Sequence, residues 1–268
     1  MTLAHRWQDL TTVEFETLDP DTTVAVLPVG AIEQHGPHLP LATDALVAER
    51  VAAAAVETAT AGDPDLPVLL LPTMPVGKSN EHIDFPGTLT LTAESLIALW
   101  REIGESVARS GIRKLLMVNA HGGQPQVMEI VARELRVRCE MLCVSSSWWH
   151  MGLPEGLVPA EEQRHGIHGG MVETSLVLHL APDLVRMEHA ADFRPVMAEI
   201  AADNEKLTYV GGVGIGWQAQ DIHPAGVAGN AAAATAELGK AIFDHVVSGY
   251  VRLLAEISAY PLSRIQRR

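Results

Sequence analysis

Apolar residues fall along this chain in two alternating rhythms. Short unbroken runs rich in Val and Leu, such as TTVAVLPVG (22–30), LPVLLLPTMPVG (66–77), IRKLLMVNA (112–120) and EMLCVSSSWW (140–149), read as buried strands. Between them lie segments with a helical period. In 92–111, Leu96, Ile97, Leu99, Trp100, Ile103 and Val107 form one stripe, with Thr92 as cap and Gly111 as stop. Residues 124–139 and 169–180 also read as helices, the second ending at Pro182. A further helix runs from Asp44 to about Ala59, with Thr43 as its candidate cap, and an Ala-rich one from about Ala231 to Ile257.

Strand–helix alternation predicts βαβ units. The expected class is α/β, three-layer α/β/α with a mostly parallel sheet, in a single domain over 1–268. Stretches 150–168 and 205–229 read as long loops. Composition narrows the function. A net charge of −14 argues against nucleic acid, since phosphate binding needs clustered Lys and Arg. The chain contains neither an apolar run of spanning length nor a signal core, so no membrane partner and a cytoplasmic location are expected. Cys139 and Cys143 have neither redox-motif nor zinc-ribbon spacing and read as reduced thiols.

The chemistry lies just past the strands, where open parallel sheets bind ligands. The first strand runs into EQHGPHLPLATD (33–44). Glu33 and His35, two apart in an extended segment, point the same way, and Asp44 opens a helix. The third strand runs into His121, and the second into Lys78, Ser79, Asn80, Glu81 and His82. HGG recurs at His168, with Glu173 in the next helical turn, on a segment apolar enough that its carboxylate needs a partner. Imidazole with carboxylate suits Zn²⁺, Mn²⁺ or Fe²⁺. Each residue alone has an ordinary reading as a loop or capping group. Their joint placement favours metal. Glu81 and His82 read more readily as groups supporting the ligands than as ligands, and His38, His165, His179, His189, His223 and His245 as structural or surface residues.

Five ordered motifs, VGAIEQHGPHLPLATD, GKSNEHIDFPGTLTLTAESL, VNAHGG, HGGMVETS and QDIHPAGVAGNAAAATAELG, together resemble the creatininase (creatinine amidohydrolase) family over roughly residues 20 to 245. The resemblance implies a metal-dependent amidohydrolase that cleaves a C–N bond other than a peptide bond, in creatinine or a related cyclic amide or formamide. It uses water activated at a dinuclear site. It implies two divalent ions per chain, Zn²⁺ first, with Mn²⁺ or Fe²⁺ as alternatives, a small-molecule amide substrate, and a homo-oligomer, often a hexamer. Glu33 and His121 match ligands of one ion, His35 a ligand of the other, and Asp44 the bridging carboxylate. His168 matches a proton-shuttling histidine and Ser79 a substrate-contacting serine.

The chain also departs from that pattern. The Tyr-Glu that follows the strand-end histidine in creatininase is Gly122-Gly123 here, which makes Glu173 the replacement ligand. A substrate-packing Trp is Arg164, leaving Trp148 or Trp149 as the aromatic wall. Backbone N–H groups at Gly122 and Gly170 are the candidate oxyanion donors. The departures weigh against creatinine. A peptidase of the mycofactocin-precursor type, which also belongs to the family, is the alternative, and a metal-dependent isomerase or lyase is a further rival.

Overall fold

The computed structural model describes residues 5–210 and 213–266. Residues 1–4, and 211 and 212 of the expected 205–229 loop, lie outside the described residues. In chain order the structure has helix α1 (Thr12–Phe15), strand β1 (Val24–Val29), α2 (Thr43–Gly62), β2 (Val68–Leu70) and α3 (Ala93–Arg109). Strand β3 (Lys114–Asn119), α4 (Pro125–Cys139), β4 (Leu142–Ser147), α5 (Ala160–His165) and α6 (Met171–Leu180) follow. Strand β5 (Asp192–Phe193), α7 (Met197–Asp203), α8 (Ala219–Ile222), β6 (Gly229–Asn230) and α9 (Ala236–Ala259) complete the order.

Strands β1 to β4 form one parallel sheet in the order β2-β1-β3-β4. Side chains alternate between its faces. Val24, Val26, Leu116 and Val118 point to one side and pack with α2, α6 and α9. Ala25, Leu27, Val29, Leu115 and Met117 point to the other and pack with α3 and α4, around a fully buried Trp100. Both faces are covered, which is why the strands read as continuous apolar runs. The expected three-layer α/β/α architecture is the one observed.

Several boundaries differ from expectation. The 66–77 run pairs in regular register only over Val68–Leu70. Pro67, Pro72 and Pro75 lack N–H groups for a ladder. Beyond Leu71 the chain keeps to β1 through single bonds, Met74 N–H to Pro28 O at 2.9 Å and Gly30 N–H to Met74 O at 3.0 Å. Thr43 does not cap α2. Ala42 holds the cap position, and the Thr43 hydroxyl donates to Pro40 O at 2.8 Å. The long C-terminal helix begins at Ala236, not Ala231, because Thr235 adopts extended backbone and its hydroxyl accepts from Leu238 N–H. The two expected loops contain the short helices α5 and α8. Thr92 does cap α3, accepting from Ser95 N–H at 3.2 Å, and Gly111 follows its end with φ +95°.

No helix among the described residues is long and apolar enough to cross a membrane. Both cysteines are free thiols, with burial pushing Cys143 up to about 12.

Candidate metal centre

The carboxyl ends of β1 and β3 deliver the first groups. Past Val29 the chain turns, and Glu33 and His35 lie inside, 1% and 0% exposed. Past Asn119, a side-chain network sets the turn that carries His121. Asn119 Oδ1 accepts from His121 N–H at 3.0 Å and from Gln124 Nε2 at 2.9 Å, while its amide donates to His121 O and Ser147 Oγ. Asp44 enters from the first turn of α2 and Glu173 from the first turn of α6, where the helix dipole favours an anion.

These residues converge. His121 Nδ1 lies 3.1 Å from Glu33 Oε2 and 3.2 Å from Asp44 Oδ2. His35 Nε2 lies 3.1 Å from Asp44 Oδ1 and 3.9 Å from Glu173 Oε2. Asp44 thus offers one oxygen to each side, as a bridging carboxylate does. Glu33, Asp44 and His121 form one cluster of potential ligand atoms within 4.8 Å of each other, and His35, His168 and Glu173 another.

The histidines are oriented from behind. His35 Nδ1 lies 3.1 Å from the Glu33 carbonyl, His121 Nε2 2.8 Å from the Lys78 carbonyl, and His168 Nε2 2.8 Å from the Gln34 carbonyl. A carbonyl only accepts, so each of these nitrogens carries the hydrogen. The opposite nitrogen, a lone pair in the neutral ring, faces the carboxylates.

Buried carboxylates dominate the electrostatics of the site. Burial opposes a charge on His35, yet Asp44, Glu173 and Glu33 outweigh it and lift its pKa to about 10. His121 is also raised, by Glu33, Asp44 and Glu81 against its burial. Asp44 is buried as well, but His35 and His121 hold it well below the carboxylate range. Glu173 is pushed up to about 7 by burial and by the Asp44 charge, against the pull of His35. His168 falls well below its ordinary value through burial and the neighbouring His35 and His82, which outweigh the pull of Asp44. Both oxygens of Glu33 and Oδ2 of Asp44 are buried with imidazole nitrogens of His82 and His121 3.1–3.3 Å away, yet none of them has a partner in hydrogen-bond geometry among the described residues. Such orphaned carboxylate oxygens are costly. Divalent cations would satisfy them and let His35 and His121 remain neutral ligands, so the donor set fits the implied ions.

The centre forms the floor of a cavity of about 600 Å³. Glu33, Asp44, Glu81, His82, His121, His168 and Glu173 reach it from below, and Trp148, Trp149, Leu153, Ile167, Val172 and Trp217 contribute its apolar walls. Gly122 and Trp149, read from sequence as substrate contacts, line it. Ser79 does not. It is fully buried behind His121, its Oγ 3.4 Å from Nε2, where it packs on the ring rather than facing the cavity. Arg164 is exposed on α5, away from the wall. Gly123 leaves room for Glu81. A Cβ at residue 123 would overlap Glu81 Oε1 and come within 2.5 Å of His121 Nε2. The Glu81 carboxylate therefore stands where a side chain at 123 would begin.

Sequence reading missed Glu162. This buried α5 carboxylate accepts from Met171 N–H at 2.7 Å through Oε1 and from Asn230 N–H at 2.9 Å through Oε2. It fastens the start of α6, which carries Glu173, to β6. Gly170 and Gly229 pack so closely on it that a Cβ at either would overlap Oε1. No local signal in AEEQRH separates Glu162 from its exposed neighbour Glu161, because both of its partners are remote in sequence.

Comparison with known proteins agrees with the geometry. The family model described as creatinine amidohydrolase matches residues 8–254. The mycofactocin precursor peptide peptidase of Mycobacterium ulcerans is 33% identical over 249 residues, covering 90% of this chain and 89% of that protein. The creatinine amidohydrolase of Pseudomonas putida is 31% identical over 208 residues, covering 70% and 76%. A solved structure of creatininase with Mn superposes with a TM-score of 0.75 at 25% identity, covering 96% of this chain and all of that one. With motifs, fold and ligand-capable cluster in agreement over nearly its whole length, this chain belongs to the creatininase family of hydrolases.

Proposed function

We propose that this protein hydrolyses an amide bond at a centre of two divalent metal ions, and that its substrate is larger than creatinine, with a peptide as the favoured class. The observation that carries the reading is the convergence of Glu33, His35, Asp44, His121 and Glu173, with three orphaned carboxylate oxygens, at the floor of an open cavity. Glu33, Asp44 and His121 would hold one ion, and Asp44, His35 and Glu173 the other. Zinc is the first expectation, with manganese and iron as alternatives. When bound, two such ions supply an activated water and polarise a scissile carbonyl.

The chain's own groups do the rest. His168 keeps its hydrogen on Nε2, against the Gln34 carbonyl, and turns Nδ1 toward the site, 3.8 Å from Glu33 Oε1. With its lone pair toward the site, Nδ1 is placed to accept a proton released from water and return it to the leaving nitrogen. Gly122 lines the cavity wall, and its N–H would be the donor to the developing oxyanion. Trp148, Trp149 and Trp217 give the substrate apolar area.

Size favours the peptide reading over creatinine. About 600 Å³ suits a ligand in the ~300–1,000 Å³ class, and a small ring amide would fill little of it. The peptidase relatives also align over more of the chain than the creatinine amidohydrolase does. The test is a panel of peptides, cyclic amides including creatinine, and formamides, run in ¹⁸O-enriched water with metal-loaded protein. Peptide cleavage with label in the new carboxylate is expected. Creatinine turnover without peptide cleavage reverses the substrate order. A product carrying no label from water points to an isomerase or lyase and overturns the hydrolytic mechanism.

A further inference from the structure

His35, His121 and His168 are each anchored by a carbonyl, but among the described residues no carbonyl anchors His82. Its ring is buried at the same centre, with Nε2 3.3 Å from Glu33 Oε1, and its Nδ1 lies 2.8 Å from Gln34 Nε2. Glu33, His82 and His168 would make a third metal-capable cluster by distance alone. What distinguishes it is where the hydrogens sit.

The Gln34 amide settles that. Its Oε1 accepts from Gly36 N–H at 2.9 Å, so the other end of the amide is the NH₂ group. That NH₂ donates to Gly226 O at 2.6 Å and to His82 Nδ1. His82 Nδ1 is then the acceptor, and in the neutral ring the hydrogen lies on Nε2. The hydrogen-bearing edge of His82 faces Glu33. His168 Nε2 also carries a hydrogen, so its 3.2 Å approach to Gln34 Nε2 sets two donors side by side and is no hydrogen bond. Turning the amide over would set its NH₂ against Gly36 N–H and its oxygen against Gly226 O, so the hydrogen bonds fix its sense. Gln34 is buried, and Gly226, at φ +69°, packs so closely that a Cβ there would lie 2.7 Å from both amide atoms.

We propose that Gln34 is a positioning residue that locks His82 in the Nε2–H tautomer, so that His82 presents an N–H to Glu33 and offers no lone pair to an ion. Of the three groups in that cluster, His168 Nδ1 is the ring nitrogen whose lone pair Gln34 does not engage, which is where the proposed proton transfer needs one. Glu33 keeps Oε2 for the pocket it shares with Asp44 and His121. The role of His168 rests on the hydrolase reading, whereas the tautomer of His82 rests on the Gln34 hydrogen bonds alone.

The test is a long-range ¹H–¹⁵N correlation spectrum of ¹⁵N-histidine-labelled, zinc-loaded protein, with the His82 signals identified by their absence in His82→Gln. Wild type should show the His82 Nε2–H pattern with Nδ1 as an acceptor. Gln34→Leu should lose that fixed pattern. An Nδ1–H pattern or a zinc-shifted His82 nitrogen in wild type overturns the proposal, as do His82 signals unchanged by Gln34→Leu. Where Gln34→Leu fails to fold, the wild-type spectrum decides alone. Failure of the two-ion reading would appear separately, as wild-type protein that takes up no zinc, and the His82 tautomer would still be measurable.

Discussion

Replacing Glu162 by Gln is nearly isosteric, yet it should damage the protein. Both carboxylate oxygens accept main-chain N–H groups, from Met171 and Asn230, at 2.7 and 2.9 Å. A Gln side chain has one acceptor oxygen. Whichever way it turns, its NH₂ faces a buried N–H donor, and Gly170 and Gly229 leave no space to move aside. A hydrogen bond to a charged group is worth about 1.5–3 kcal/mol, and an orphaned buried donor adds a cost of similar size. With one bond lost and the other no longer charge-assisted, destabilisation of about 2–4 kcal/mol is expected. At ~2–4 °C per kcal/mol for a chain near this size, Tm should fall by about 4–16 °C. The assay is thermal unfolding followed by circular dichroism, with Glu161→Gln as control. The Glu161 side chain is 74% exposed, and its variant should stay within about 0.5 kcal/mol of wild type. A Glu162→Gln protein as stable as that control would refute the reasoning.

Further outcomes follow from the same geometry. Gly123→Ala should push Glu81 and His121 apart and lower metal content, at an overpacking cost of about 1–3 kcal/mol; elemental analysis and thermal unfolding check both. His168→Ala should retain its ions and lose turnover by ~10²–10⁴-fold, measured on whichever amide the panel identifies; loss of metal instead would make His168 a ligand. Trp100→Ala, at the fully buried centre of the α3–α4 face, should cost about 3–5 kcal/mol in urea unfolding with metal-site residues unaltered.

Much of this was legible in the sequence because the physics is local. A strand covered on both faces must be apolar throughout, so Val24–Val29 and Lys114–Asn119 announce themselves. The rule that ligands gather beyond strand ends then brings Glu33, His35 and His121 together from positions far apart in the chain. What escaped depends on partners distant in sequence. Glu162 looks like any helix-surface carboxylate until Met171 and Asn230 are placed beside it. Ser79 sits in a polar run after a strand and reads as a cavity residue, but the turn buries it behind His121. Thr43 looks like a cap, yet it is already the first helical residue and its hydroxyl donates back to Pro40 O. Gln34, flanked by two ligand candidates, attracts no notice until its amide is seen between Gly226 and His82. His38, read as structural or surface, is buried: its Nε2 lies 2.9 Å from Thr174 Oγ1 and its ring stacks on Phe193.

The central claim is that the clustered carboxylates and imidazoles exist to hold ions. Elemental analysis of gently purified, untagged protein, alongside Asp44→Ala, tests it most directly. About two transition-metal ions per chain in wild type, and a clear loss when the shared carboxylate is removed, is the predicted result. Wild-type protein that holds no ion even after incubation with zinc and manganese, or an Asp44→Ala variant with undiminished metal, would contradict it.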